Sequence, residues 1–153
     1  MRALSVRQPW AHLISTGEKS IEVRSWGTAY RGPLLIVASG TVERVEATAR
    51  GLDPRALARC CAVCVVNVDT VRPLRGADWP AANLGPAEDT DPDGGFAWVI
   101  SNARPVENVP IRGKLSLYTV PDELIRYVGR ACGCGGVCML CDDRGLLPAA
   151  AGR

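Results

Sequence analysis

Residues 4–39 read LSVRQPWAHLISTGEKSIEVRSWGTAYRGPLLIVAS, and the fold is decided there. Leu4 and Val6 alternate with Ser5 and Arg7, the period of a strand with one buried face. Pro9 cannot continue a sheet but suits the first position of a helix, and Gln8 before it is biased toward extended backbone. From there Trp10, Leu13 and Ile14 fall at helical spacing. Gly17 supplies a left-handed cap that ends the helix after about two turns. In Ser20-Ile21-Glu22-Val23-Arg24 the period returns to two. Ile21 and Val23 point one way, and Glu22 and Arg24 share the other face, with Trp26 continuing that side. Lys19 sits in the turn that feeds this strand. An acid, a base and an aromatic on one strand face, opposite an apolar face, describe the wall of a cleft.

Outward from this stretch, residues 33–39 form an apolar run suited to a strand buried on both faces. A helix is expected over 41–50, with Gly51 as its stop. Asp53-Pro54 reads as an N-cap with proline at the first position of a short helix reaching Arg59. Residues 60–71, CCAVCVVNVDTV, are β-rich. Strict alternation places Cys61 and Cys64 on opposite faces, and Cys60, Cys61 and Cys64 read better as small apolar fillers than as metal ligands. Residues 76–95 are turn-formers and acids, an exposed loop with one helical turn near Trp79. Asp89, Asp91 and Asp93 alternate as in a calcium loop, but position 100 is Ile100, where such a loop needs a glutamate. Residues 96–101, 103–109 and 113–120 are expected as three closing strands, followed by a short helix opened by Pro121. Trp10 and Trp98 are expected in the core.

At two blocks the chain resembles a family. SVRQPWAHLISTGEKSIEVRSW, followed by TAYRGPLLIVAS, and FAWVISNARPVENVPIRGKLSLYTV, with its turn of Pro110, Gly113 and Lys114, look like the ASCH domain of the PUA-like superfamily. The likeness is greatest to the ASCH domains of activating signal cointegrators and of stand-alone bacterial ASCH proteins, and it covers roughly residues 3 to 121. It implies a mainly β, α+β fold with short helices: a small β-barrel with a helix against its open side. Acetylcytidine amidohydrolases of this family share Lys19 and Arg24 but have threonine at the place of Glu22. Other relatives are associated with cleaving single-stranded RNA.

Composition bounds the rest. A chain of 153 residues suits one main domain, expected over 1–130. The net charge is only +2, but residues 1–32 carry five basic residues against two acidic ones. That basic side coincides with the motif and is compatible with phosphate contacts. Apolar runs are too short for a bilayer span, and the first strand starts at once, leaving no room for a signal peptide. No membrane partner and a cytoplasmic location are therefore expected. Seven cysteines without a secretion signal point to thiols or metal ligands rather than disulfides. In the tail, 131–153, Cys132, Cys134, Cys138 and Cys141 place four thiols in ten residues, which zinc or an iron–sulfur cluster could use; the alternative is a glycine-rich flexible tail.

The expected function is nucleic-acid binding, to RNA or DNA and preferentially single strands, in a cleft between the first helix and the Glu22/Arg24 strand. The candidate contacts are Arg7, Gln8, Lys19, Glu22, Arg24, Trp26, Tyr30, Arg31 and Lys114: cations for phosphates, aromatics for stacking, Glu22 for an exocyclic amine. The alternative is a hydrolase on RNA or a modified nucleoside, with Lys19 and Glu22 as catalytic residues. His12 is the single histidine, which excludes paired-histidine acid–base chemistry. A third reading is a protein-interaction adaptor of the coactivator type.

Overall fold

The computed structural model describes residues 1–84 and 94–128. The acidic run at Asp89, Asp91 and Asp93 and the tail thiols Cys132, Cys134, Cys138 and Cys141 lie outside the described residues.

Strand β1 (Arg2–Gln8) leads into helix α1 (Trp10–Ser15), strand β2 (Ile21–Arg24) and the long strand β3 (Gly32–Val42). Helix α2 (Arg44–Ala49), strand β4 (Cys61–Pro73), a 3₁₀ turn (Gly76–Asp78), helix α3 (Trp79–Ala82), strand β5 (Phe96–Pro105) and strand β6 (Leu117–Thr119) follow. A 3₁₀ turn at Asp122–Leu124 comes last.

The strands form one sheet in the order β2-β5-β4-β3-β1-β6. β1 and β3 run parallel, and the other neighbours are antiparallel. The expected barrel is corrected here: β2 and β6 are edges that do not pair, so the sheet stays open. It nevertheless curls. The Arg24 guanidinium on β2 donates to the carbonyl of Ser5 on β1, although three strands separate them in the ladder. β6 pairs β1 only from Arg2 to Leu4, so the edge of β1 beyond Leu4 faces β2 with no strand between. A side chain bridges the gap that a backbone ladder would close in a barrel.

The main core lies on the inner face. Leu4, Val6, Leu34, Ile36, Val66 and Trp98 pack there under Ala11 and Ile14 of α1. The outer face holds Ala3, Leu35, Val37, Val65 and Tyr118. A smaller cluster joins Ile21 and Ala97 to Leu74 and Ala82 of the α3 segment.

Several expectations are corrected. Pro9 is the N-cap of α1, not its first residue. β3 runs on to Val42, so α2 is only six residues long. Asp53-Pro54 opens a single hydrogen-bonded turn, with the Ala56 N–H on the Asp53 carbonyl at 3.1 Å, and no helix. The strands expected at 96–101 and 103–109 are one strand. Asn102, at a positive φ of 52°, sits where the β4–β5 register shifts, and this bulge absorbs the break. The last strand is short because residues 113–116 form a loop against Ser5. After Pro121 there is one 3₁₀ turn.

Cys61 and Cys64 also differ from expectation. The β3–β4 register shifts between Ile36 and Val37, so Val63 is an extra residue and both cysteines face the inner core. Burial pushes the Cys64 thiol up to about 12, which keeps it a protonated, small apolar filler.

Candidate nucleic-acid interface

The cleft lies in the opening between β2 and β1. Val6, Arg7, Trp10, Lys19, Glu22, Val23, Arg24 and Leu84 line it, around a volume of about 310 Å³. That is the lower end of the range for small-ligand sites, roughly 300–1,000 Å³.

Its wall is built locally. Gly17, with φ of 82°, lets the chain leave α1 in the left-handed region, where a Cβ is strained. The Lys19 N–H then returns to the Leu13 carbonyl at 3.0 Å, which fixes where the lysine points. β2 pairs β5 with Glu22 directly opposite Trp98. Glu22 is therefore on the face of the main core, while Ile21 and Val23 turn to the smaller cluster on the opposite face; the apolar face expected from the sequence is not the one that meets the main core.

Lys19 and Glu22 are both buried, with 3% and 7% exposure. The Lys19 ammonium lies 3.6 Å from one Glu22 oxygen and donates to the Ala82 carbonyl. Arg24 Nε lies 3.2 Å from the other Glu22 oxygen, with its N–H not aimed at it. One carboxylate thus stands between two cations. Burial lowers the Lys19 pKa below its usual 10.5, and the nearby Glu22 charge opposes the shift. The folded chain then binds fewer protons at Lys19 than the unfolded chain over the window from the lowered value up to 10.5. Stability at this group rises with pH across that window. Lys19→Met is expected to abolish the rise, which urea denaturation across the alkaline range would read.

The Ala82 carbonyl is held in place from a distance. Asp78 takes both Arg72 guanidinium nitrogens at 2.6 Å and the Arg75 N–H at 2.9 Å, anchoring the turn that enters α3. The hydrogen bonds from Arg72 keep the Asp78 pKa below its usual value.

The expected site residues divide. Lys19, Glu22 and Arg24 meet in the cleft with Arg7, whose exposed guanidinium also pairs Glu43 at 2.9 Å. Lys114 does not line the cleft: its N–H donates to Ser5 Oγ at 3.1 Å, and its ammonium lies 5.8 Å from the centre of the Tyr118 ring, on the outer face. Gly113 is needed there, because a Cβ would come within 2.8 Å of Ser5 Oγ. Gln8 is buried. Its amide donates to the Ala58 carbonyl at 2.8 Å and accepts the His12 N–H at 3.0 Å, so it caps α1 and ties down the 52–58 loop. Trp26 packs edge-on against Trp98, 4.8 Å between ring centres. The Tyr30 hydroxyl donates to the Pro33 carbonyl, and Arg31 is exposed and donates to the carbonyls of Thr28 and Tyr30. None of Gln8, Trp26, Tyr30 and Arg31 lines the cleft.

Trp10 does line it. It was expected in the core and is half-buried, with its ring available at the cleft wall. Its spacing from Leu13 and Ile14 marks a buried helix face but not that this face runs out into an opening. Ala82 contributes through its backbone, 63 residues from Lys19, and leaves no trace in sequence.

Known proteins share this fold. A crystal structure of ASCH from Zymomonas mobilis superposes with a TM-score of 0.56 at 14% identity, over 80% of this chain and 89% of that one. A point mutant of the same protein gives 0.54 at 13% identity, over 80% of this chain and 91% of that one. These likenesses show the fold. In sequence, activating signal cointegrator 1 of Mus musculus is 27% identical over 135 residues, 79% of this chain; the chain spans only 22% of that protein's length. No described helix is long and apolar enough to cross a membrane. The ASCH domain model matches residues 4–110, well over half of the sequence, and the chain belongs to the ASCH domain family.

Proposed function

We propose that this ASCH domain binds single-stranded nucleic acid, seating one nucleotide in the cleft between α1 and β2. The observation that carries the reading is the cleft's division of labour. Lys19 and Glu22 are buried and engaged, and they hold Arg24 at the rim. Arg7 and Arg24 keep accessible guanidinium surface, at 64% and 25% side-chain exposure, for phosphate oxygens. Trp10 offers a face for a base.

A second reading has one specific support. A buried lysine with a lowered pKa beside a carboxylate is suited to proton transfer, so the same cleft could hydrolyse RNA or a modified nucleoside through Lys19 and Glu22.

One assay separates the two. Labelled single-stranded RNA, single-stranded DNA and duplex DNA are incubated with wild type, Arg7→Ala and Lys19→Met, then run on native and denaturing gels. Binding predicts retarded, intact single strands, with weaker retardation for Arg7→Ala. Shortened strands with wild type but not Lys19→Met would establish the hydrolase. Neither retardation nor shortening would sink both readings for these polymers.

A further inference from the structure

A second cavity, of about 400 Å³, opens on the other side of α1 from the cleft. Trp10 lines the cleft, whereas His12 and Ser15 line this cavity, so the helix divides the two. Its floor is apolar, with Leu57, Val63 and Val106 among the lining residues. Its polar groups are His12, Ser15, Asp53, Asn108 and Gln8, whose amide is already engaged by the Ala58 carbonyl and the His12 N–H.

The chemistry of these groups is selective. Among the described residues, the His12 imidazole and the Asn108 carboxamide have no hydrogen-bond partner. One Asp53 oxygen accepts the Arg55 N–H at 2.9 Å, which leaves the other to accept from a ligand. The Ser15 hydroxyl donates to the His12 carbonyl at 2.7 Å, so toward the cavity it too is an acceptor. No lysine or arginine lines the cavity, so no fixed cation there offsets the charge of an anion beside Asp53. A pocket with apolar walls, a carboxylate and a hydroxyl as acceptors, and a carboxamide and an imidazole able to donate and accept suits a flat, uncharged heterocycle bearing an amine. A carboxylate accepts from the exocyclic amine of a cytosine, and a carboxamide pairs two-pronged with the amine and ring nitrogen of an adenine.

We propose that this cavity is a second ligand site, for a neutral, amine-bearing heterocycle of nucleoside size. The proposal stands on the cavity alone and holds whether or not the cleft binds nucleic acid.

Adenosine and cytidine are titrated by calorimetry into the full chain, wild type and the variants Asn108→Leu, Asp53→Ala and Arg7→Ala. Asn108 and Asp53 are exposed, so their replacement spares the core. The expected result is that at least one nucleoside binds and that Asn108→Leu weakens it about tenfold, the loss of one to two hydrogen bonds. Asp53→Ala weakens it similarly, Arg7→Ala leaves it unchanged, and the 5′-monophosphate binds no more tightly. Absence of binding by both nucleosides at millimolar concentration overturns the proposal. So does binding that survives Asn108→Leu and is lost in Arg7→Ala, which would move the nucleoside into the cleft.

Discussion

Glu22→Ala is expected to destabilise the chain by about 3 kcal/mol near neutral pH, because it strands a buried ammonium. Lys19 is 3% exposed, and its remaining partner would be one neutral carbonyl, that of Ala82. A lone carbonyl offsets little of the cost of keeping a charge out of water. Lysine has one escape, the loss of its proton, so the penalty shrinks as pH rises. The reciprocal change is milder. In Lys19→Met the carboxylate keeps Arg24 at 3.2 Å, and methionine refills the volume of the lysine stem. Urea denaturation of the two variants side by side reads the difference. If Lys19→Met costs as much as Glu22→Ala, or more, the charge arrangement is wrong.

Trp98→Ala is expected to cost about 4 kcal/mol, the usual loss for truncating a fully buried large aromatic. At this chain length it lowers Tm by about 10 °C. Trp98 has 0% exposure in the main core, meets Trp26 edge-on and donates its indole N–H to the Trp26 carbonyl at 3.2 Å. It also lies opposite Glu22 across the β2–β5 ladder, so its loss loosens the strand that presents the cleft carboxylate. Trp98→Phe keeps most of the packing and gives up the indole N–H bond, and about 1–2 kcal/mol is expected. Thermal unfolding of both variants checks the pair. A loss under about 1 kcal/mol for Trp98→Ala would place the tryptophan outside the cooperative core.

The local structure around the cleft was legible in sequence because it follows short-range rules. Alternation in residues 4–7 and 20–24, helical spacing in 10–14 and the left-handed Gly17 predict the existence and order of β1, α1 and β2, though β1 starts two residues earlier than the alternation shows. The two-residue period also puts Glu22 and Arg24 on one face. What was not legible depends on register and on backbone partners. A single extra residue, Val63, turns Cys61 to the face of Cys64, and no residue type announces it. Asn102 likewise hides a bulge inside what reads as a break between two strands. The Arg24 bond to the Ser5 carbonyl exists because β6 stops short and the sheet curls, a property of the whole topology. Trp26, Tyr30 and Arg31 are close to the motif along the chain, yet they do not line the cleft, since sequence distance does not report which way a turn carries its side chains.

The central claim is that the cleft's guanidinium groups meet a phosphate chain. The most direct measurement is the salt dependence of affinity for a labelled single-stranded RNA, in wild type, Arg7→Ala, Arg24→Gln and the control Arg55→Ala, whose exposed side chain does not line the cleft. For single strands each phosphate contact contributes a slope of about 0.7 in log affinity against log salt. The predicted result is a slope shallower by about 0.7 in each cleft variant and unchanged in Arg55→Ala. Wild-type slopes in both cleft variants, or an equal loss in the control, would contradict the account.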